Sequence, residues 1–193
     1  MAILGRGRLI PLSLQPVPFL LLALFVCLFE PEAARAQSGG AREYQIKAAF
    51  LFNFVQFVKW PGAAFTSSDA PFNIGILGDD PFGSALDDTI QGEVINGHRL
   101  TITRSQSAGE LEGCQMVFVC RSAESDTGAI LAQLGSRPVL TVGDTKNFAR
   151  DGGDIDFYLL DGKIRFEINA QAARRQGLNI SSQLLALGKI VSP

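Results

Sequence analysis

The alternation of short apolar segments with helix-like segments is the feature that most constrains the fold of this chain. Residues 74–77, 114–120 and 137–144 are short, apolar runs of strand length, and helical patterns occupy residues 124–134 and 145–150. Strands that alternate with helices predict βαβ units, with parallel strands and with helices on the faces of the sheet. We therefore predict an α/β fold, a three-layer α/β/α sandwich with a mixed, mostly parallel sheet.

The end of the chain predicts a C-terminal β-hairpin. Asp161-Gly162 is a strong signal for a two-residue turn, and it separates two segments of alternating residues. The register that this turn implies gives one apolar face and one largely polar face, and a shift by one residue would mix them. The apolar pairs are Ile155 with Ile168, Phe157 with Phe166, and Leu159 with Ile164; the other pairs are Asp156 with Glu167, Tyr158 with Arg165, and Leu160 with Lys163.

The first 36 residues match a secretory signal. Arg6 and Arg8 precede an apolar run at residues 19–29, and Ala34-Arg35-Ala36 is a small-x-small cleavage site. An uncleaved membrane anchor fits less well, because the run is shorter than the ~20 residues of a membrane span. A lipoprotein made through Cys27 is a weaker alternative still. We predict cleavage after Ala36 and a periplasmic location.

This cleavage divides the chain into three parts. Residues 1–36 are the predicted signal peptide, residues 37–42 are a flexible leader, and residues 43–193 are a single α/β domain. A domain of this length can bury a core large enough to fold without disulfides or metals.

An aromatic segment at residues 43–59 predicts an amphipathic helix that ends at Trp60, before Pro61. Its apolar residues share one broad face, and the polar residues on the opposite arc argue against a membrane span. Core packing is the first interpretation of the aromatic face. Docking of a partner is the second, and the residues that this hypothesis names are Phe50, Phe54, Phe57 and Trp60.

Composition argues against nucleic-acid binding and against catalysis. The 17 basic and 19 acidic residues give a slightly acidic chain without a basic run, which is a poor nucleic-acid binder. His98 is the only histidine, and its place beside an Asn-Gly turn is typical of an exposed turn residue. The sequence has no zinc-ligand spacing and no G-x-S-x-G nucleophile motif. We predict that the protein is not an enzyme and uses no metal and no cofactor.

The acidic pair Asp79-Asp80 follows the strand at residues 74–77 and precedes Pro81. This pattern predicts a turn into a helix, with an aspartate near the N-cap and the proline in the first turn. Helix N-termini favour phosphate, but two carboxylates at this position repel it, and no glycine-rich phosphate motif is present. We interpret the pair as helix capping.

Cys114 and Cys120 lie on one predicted strand. At about 3.3 Å per residue their Cα atoms would be roughly 20 Å apart, whereas a disulfide requires less than about 7 Å. We therefore predict that they are not an intrachain pair. Two free thiols are the simpler expectation, and an intermolecular bridge through Cys120 is the alternative.

The polar face of the hairpin is a second candidate recognition surface. Asp156 opposite Glu167 places like charges together, which is unfavourable unless a cation or a ligand lies between them. Arg165 is placed to stack on Tyr158. A solvated sheet face is the simpler interpretation. The residues named by the binding hypothesis are Tyr158, Arg165 and Glu167.

Several strings, in order along the chain, together resemble one family. They are EYQIKAAFLFNFVQFVKWP, IGILGDDPFG, INGHRL, CQMVFV, RPVLTVGD, GGDIDF and RFEINAQAARRQGLNISSQLLALGKIV. Over residues 43–191 the chain resembles the YfiR-like family of exported bacterial proteins. The resemblance implies a periplasmic α/β domain without enzymatic activity.

The resemblance also implies a regulatory role. The best-understood relative represses an inner-membrane diguanylate cyclase by binding its periplasmic sensor domain, and loss of that repression raises cyclic di-GMP and favours biofilm. An outer-membrane-linked protein sequesters that repressor under envelope stress. Family members can form homodimers, and cysteine oxidation is associated with their stability. The present sequence has no second pair of cysteines for an intrachain bridge.

We therefore predict a periplasmic regulator, a repressor that acts by protein–protein binding and restrains a membrane diguanylate cyclase or a similar sensor. A periplasmic small-molecule-binding protein, with a cleft at the strand ends, is the alternative from another class. A hydrolase is the weakest alternative, and it would require His98 to lie near a serine or a carboxylate.

Overall fold

An eight-stranded sheet organises the residues that the computed structural model describes, 32–135 and 137–192. The helices are α1 (Glu32–Phe57), α2 (Ala85–Ile90), α3 (Thr127–Leu134), α4 (Ala170–Arg175) and α5 (Ser182–Leu187). The strands are β1 (Val58–Lys59), β2 (Phe72–Leu77), β3 (Val94–Ile95), β4 (His98–Ser105), β5 (Met116–Val119), β6 (Leu140–Gly143), β7 (Ile155–Leu160), β8 (Lys163–Ile168), β9 (Asn179–Ile180) and β10 (Lys189–Ile190). Short 3₁₀ turns occupy Gly62–Ala64, Ala108–Leu111 and Arg121–Asp126.

The sheet is mixed and mostly parallel, as predicted. Its order is β10-β8-β7-β6-β5-β2-β4-β3. The five central strands, β7, β6, β5, β2 and β4, are parallel to one another. Strand β8 is antiparallel to β7, and β3 is antiparallel to β4. Strand β10 runs parallel to β8, and β1 pairs with β9 outside this sheet.

Alternate residues of the central strands enter two separate hydrophobic cores. Ile76 and Phe118 belong to the larger core, which includes residues of α1, whereas Leu77 and Val119 belong to a smaller core that includes α3. Successive side chains of a strand point to opposite faces, so the two cores lie on opposite sides of the sheet. Helices therefore cover both faces, and the predicted α/β sandwich is confirmed.

The C-terminal hairpin has the predicted register at every pair, from Ile155–Ile168 to Leu160–Lys163. The turn residues Asp161 and Gly162 adopt φ values of 50° and 69°. Positive φ at both central positions is the signature of a type I′ turn, whose twist matches that of the flanking strands. The local sequence therefore determines both the turn and the pairing.

Helix α1 differs from its prediction at both ends. It begins at Glu32, so residues 37–42 are helical, although a flexible leader was predicted there. Four alanines between residues 33 and 41 favour this helix despite the Gly39-Gly40 pair. The helix ends at Phe57 because Val58 and Lys59 pair with β9.

The predicted signal peptide, residues 1–36, lies almost entirely outside the described residues, and its cleavage stays a prediction. Within the described part of the chain, no helix combines the length and the apolar character that a membrane crossing requires.

Two helices predicted at strand ends are turns in the structure. After β2, Asp80 Oδ1 accepts a hydrogen bond from the backbone amide of Phe82 at 2.7 Å, and α2 begins only at Ala85. After β6, residues 145–150 form turns in which Asn147 has a φ of 64°, outside the right-handed helical region. Short polar side chains that bond to nearby backbone stabilise such turns at the expense of a helix.

Helix α1 packs on the hairpin through aromatic rings. Phe54 is fully buried, and its ring stacks on Phe157 with 5.7 Å between centroids and meets Phe166 edge-on at 5.4 Å. Phe50 lies 5.9 Å and 5.4 Å from the same two rings. These separations are those of attractive aromatic pairs. The cluster fixes the apolar face of β7–β8 under α1.

A buried ion-pair network joins α1 to the end of β6. Lys47 is 1% exposed, and its Nζ lies 2.6 Å from both Glu43 Oε1 and Asp144 Oδ2. Tyr44 donates to the same Asp144 oxygen at 2.7 Å. Burial, together with this hydrogen bond, raises the pKa of Tyr44, so the phenol remains a neutral donor. Arg121 approaches Glu43 and Asp144 at 3.3 Å from the solvent side.

Replacement of Lys47 by methionine should destabilise the protein by about 3–5 kcal/mol, because Asp144 would remain buried without its main cation. The measurement is the free energy of unfolding from urea titration, followed by circular dichroism. Lys59→Met is the matched control, since Lys59 is exposed, and should change this free energy by less than about 0.5 kcal/mol. Equal effects of the two variants would contradict the assigned role of the network.

Truncation of Phe54 to alanine should lower the free energy of unfolding by about 3–5 kcal/mol, because it leaves a cavity among packed aromatic rings. The same urea titration measures the effect. Gln56→Ala, an exposed position on the same helix, serves as the control for helix propensity. A loss smaller than about 1 kcal/mol at Phe54 would show that the ring is not part of the essential core.

Candidate functional site

A cleft of ≈ 540 Å³ lies at the carboxyl end of β6, beside the middle of β7. The loop at residues 144–150 forms one wall, and the hairpin forms the other. Ligands of open α/β sheets bind outside the carboxyl ends of the strands, and this cleft lies at such a strand end. Its charged and aromatic lining includes Arg121, Lys146, Arg150, Asp156, Tyr158 and Glu167.

Asp156 is the least compensated charge in the cleft. It is 5% exposed, and its Oδ1 has no hydrogen-bond partner among the described residues. Burial, reinforced by the negative charge of Glu167, raises the pKa of Asp156 to about 7, while the backbone amides of Ala149 and Phe148 oppose this shift. The carboxyl group therefore exchanges its proton close to neutral pH.

Glu167 faces Asp156 across the β7–β8 pair and is well compensated. Arg150 donates to its two carboxylate oxygens at 3.2 Å and 3.1 Å, and Lys189 donates at 2.8 Å. Burial raises the pKa of Glu167, but the hydrogen bonds from Lys189 and Arg150 outweigh burial and leave it lowered. The cations that relieve this like-charge pair come from the 144–150 loop and from β10.

The sequence hypothesis named three hairpin residues for partner binding, and the cleft brings two of them together. Tyr158 is half-buried, and both it and Glu167 line the cleft. Arg165 pairs with Tyr158 in the hairpin register but is exposed and does not line the cleft. Beyond it the hairpin ends in Leu159 and Leu160, which are 54% and 52% exposed.

The aromatic residues named for partner binding on and after α1 serve mainly in packing. Phe54 is fully buried. Trp60 donates its indole N–H to the carbonyl of Gln115 at 2.9 Å and meets Phe72 edge-on at 4.8 Å. Phe50 and Phe57 are half-buried, and Phe50 lines a shallow groove on the outer side of α1.

Both described cysteines are free and buried, on opposite faces of the sheet. Cys114 belongs to the smaller core and Cys120 to the larger one. Burial raises the pKa of Cys114 to about 11 and that of Cys120 to about 12. Since the thiolate is the reactive form, both thiols are unreactive at neutral pH in this fold. An intermolecular bridge through Cys120, which is 1% exposed, would require the fold to open.

His98 is half-buried at the start of β4, whereas an exposed turn residue is the sequence prediction. Its Nδ1 lies 2.6 Å from the carbonyl oxygen of Ala70, and its ring stacks on Phe65 with 3.9 Å between centroids. Among the residues that the structure describes, no group of three histidine, cysteine, aspartate or glutamate side chains is arranged to hold a metal ion.

Sequence reasoning missed Asp144 and Arg150, which line the cleft, and Lys47, which pairs with Asp144. Lys47 and Asp144 are 97 residues apart, so no local pattern connects them. The one available signal was the like-charge pair of Asp156 and Glu167 in the hairpin register, which required a nearby cation.

No curated protein is significantly similar to this sequence. Nine chains of solved structures are similar, among them two at low identity. A conserved domain protein of Vibrio cholerae is 12% identical, with a TM-score of 0.47, and the match covers 63% of this chain and 54% of that one. An ABC domain in complex with L-Trp from Streptococcus pneumonia is 11% identical, with a TM-score of 0.45, over 62% of this chain and 55% of that one. The chain thus spans about half the length of each of these two proteins.

The family comparison is more extensive. A family model described as YfiR/HmsC-like matches residues 44–189, which include the hairpin, the cleft and the whole of the sheet except one residue of β10. The resemblance noted in the sequence is therefore confirmed: the chain belongs to the YfiR/HmsC-like family.

Proposed function

We propose that this protein is a periplasmic regulator that acts by binding another protein, and that it restrains a membrane diguanylate cyclase or a similar sensor. Membership of the YfiR/HmsC-like family over residues 44–189 is the observation that carries this proposal. The predicted signal peptide at residues 1–36 supports the location.

The chemistry of the described residues supports binding rather than turnover. His98 is occupied by a backbone carbonyl and an aromatic ring, and the thiols of Cys114 and Cys120 are buried and protonated. These are the side chains that a hydrolase would most readily use as base or nucleophile. Their contacts assign them to the structure of the domain.

The end of the hairpin is the surface that we propose for the sensor. We call it the tip face, defined by Tyr158, Leu160 and Arg165, which share one side of the β7–β8 pair. Tyrosine and arginine are enriched among the residues that dominate binding energy. Leu160, two residues beyond Tyr158 on the same side, supplies exposed apolar area. Leu160 is 52% exposed, so this area is available in the free protein.

Replacement of Leu160 by aspartate should weaken binding to the sensor at least tenfold, a loss of about 1.4 kcal/mol, because it places a charge at the centre of an apolar contact. The measurement is isothermal titration calorimetry with the periplasmic domains of membrane diguanylate cyclases from the same organism. Leu187→Asp is the matched control, since Leu187 is 69% exposed on α5, outside the tip face. It should change the affinity less than twofold.

A cellular measurement complements the calorimetry. Deletion of the gene should raise cyclic di-GMP, and the level should return to normal with the wild-type protein or with Leu187→Asp, but not with Leu160→Asp. Binding to none of the sensor domains would refute the proposed partner class. Equal loss with both variants would refute the tip face while leaving the partner class intact.

A further inference from the structure

The cleft beside β7 contains a buried carboxylate that no described residue neutralises. Asp156 lines the cleft at 5% exposure, and its Oδ1 accepts no hydrogen bond within residues 32–135 and 137–192. A buried carboxylate left in this state is energetically costly, and in a native fold it requires an explanation. We propose that the cleft is a binding site for an organic cation, an alkylammonium or alkylguanidinium group that pairs with Asp156.

The surrounding charges determine the sign of the ligand. Apart from Lys146, which is exposed, the cations next to the cleft are already engaged in ion pairs: Arg150 and Lys189 with Glu167, and Lys47 and Arg121 with Glu43 and Asp144. Asp144 Oδ1 is also buried without a partner in the described part of the chain. One oxygen of each of these two carboxylates therefore lacks a hydrogen-bond donor among the described residues. A positively charged donor would meet this need, whereas an anion would add to the negative charge.

The walls of the cleft fit a small alkylated cation. Tyr158 supplies aromatic surface, on which ammonium and guanidinium groups bind favourably. Leu159 supplies apolar surface for an alkyl chain. The volume of ≈ 540 Å³ lies within the range of small-ligand pockets. The site therefore combines a carboxylate, an aromatic side chain and an apolar wall.

The alkylammonium or alkylguanidinium group has two sources, a free amine or guanidine in solution and a basic side chain of a docked protein. The shared element is the cationic head group. Tyr158 belongs to both the cleft and the tip face. The inference nevertheless does not depend on the proposed regulatory function, because its test measures binding of a small cation and uses no sensor protein.

The test is an NMR titration of the purified, ¹⁵N-labelled protein with butylguanidinium chloride, and with butylurea as the neutral isostere. Butylguanidinium should cause saturable shifts of backbone amides at residues 144–150 and 156–159, and butylurea should not. Asp156→Asn should weaken binding at least tenfold. Lys163→Gln, an exposed position on the same hairpin outside the cleft, is the control and should leave binding unchanged.

The pH dependence tests the same carboxylate without a variant, and it remains informative if Asp156→Asn does not fold. Burial raises the pKa of Asp156 to about 7. The cation requires the deprotonated form, so binding should be about tenfold tighter at pH 8 than at pH 6. The other charged groups at the site are Asp144 after β6, Glu167 on β8, and Arg121, Lys146 and Arg150 from the adjoining loops. The pKa of Glu167 is lowered and that of Arg121 is raised, so both groups keep their charge between pH 6 and pH 8.

A blocked tripeptide, acetyl-Ala-Arg-Ala-amide, distinguishes the two sources. Binding of both the peptide and butylguanidinium identifies a cleft open to the side chain of a partner, whereas binding of butylguanidinium alone identifies a site for a free cation. Four results would each overturn the proposal: no saturable shift, equal shifts with butylurea, undiminished binding by folded Asp156→Asn, or tighter binding at pH 6. None of them affects the calorimetric test at Leu160, so the two proposals fail separately.

Discussion

The packing of α1 on one face of the sheet is the interaction on which the rest of the structure depends. Phe54 anchors the helix to the apolar face of the hairpin, and Lys47 anchors it to Asp144 at the end of β6. Both contacts lie on the same side of β7. The 144–150 loop lies beside β7, and the cleft opens between that loop and the strand. The position of the helix thus determines which face of the hairpin remains accessible.

The two buried aspartates of the cleft have opposite electrostatic environments. Asp144 has Lys47 at 2.6 Å and a phenol donor from Tyr44, so its charge is compensated within the fold. Asp156 has Glu167 as its cross-strand neighbour, and burial shifts its pKa to about 7. Buried carboxylates of the first kind contribute to structure, whereas those of the second kind are found at functional sites more often than elsewhere.

The hairpin was predictable because its determinants are local. Asp161-Gly162 determines the turn type, and the period-two alternation of residues determines the register, so both follow from adjacent positions. The end of α1 was not predictable in the same way, because Val58 leaves the helix to pair with Ile180, more than a hundred residues away. Periodicity cannot signal such a long-range competition between a helix and a strand.

The cleft was beyond local sequence reasoning for the same reason. Its walls are the loop at residues 144–150 and the hairpin, and the loop itself was predicted as a helix. Asn147 has a positive φ and turns the chain there, and a right-handed helix cannot continue through a residue in that conformation. The sequence did indicate that Asp156 and Glu167 needed a cation. It did not identify Arg150 and Lys189, because they lie 17 and 22 residues from Glu167 and outside the hairpin.

The alternation of side chains along β7 separates the two roles of the hairpin. Ile155 and Phe157 enter the core under α1, and the intervening Asp156 and Tyr158 line the cleft, which Phe157 and Leu159 also reach. Leu160 continues this second set to the exposed end of the strand. Because the two sets occupy opposite faces, the residues of the cleft face can change their chemistry without removing any ring from the aromatic cluster. A single strand therefore contributes to the core on one side and to the cleft on the other.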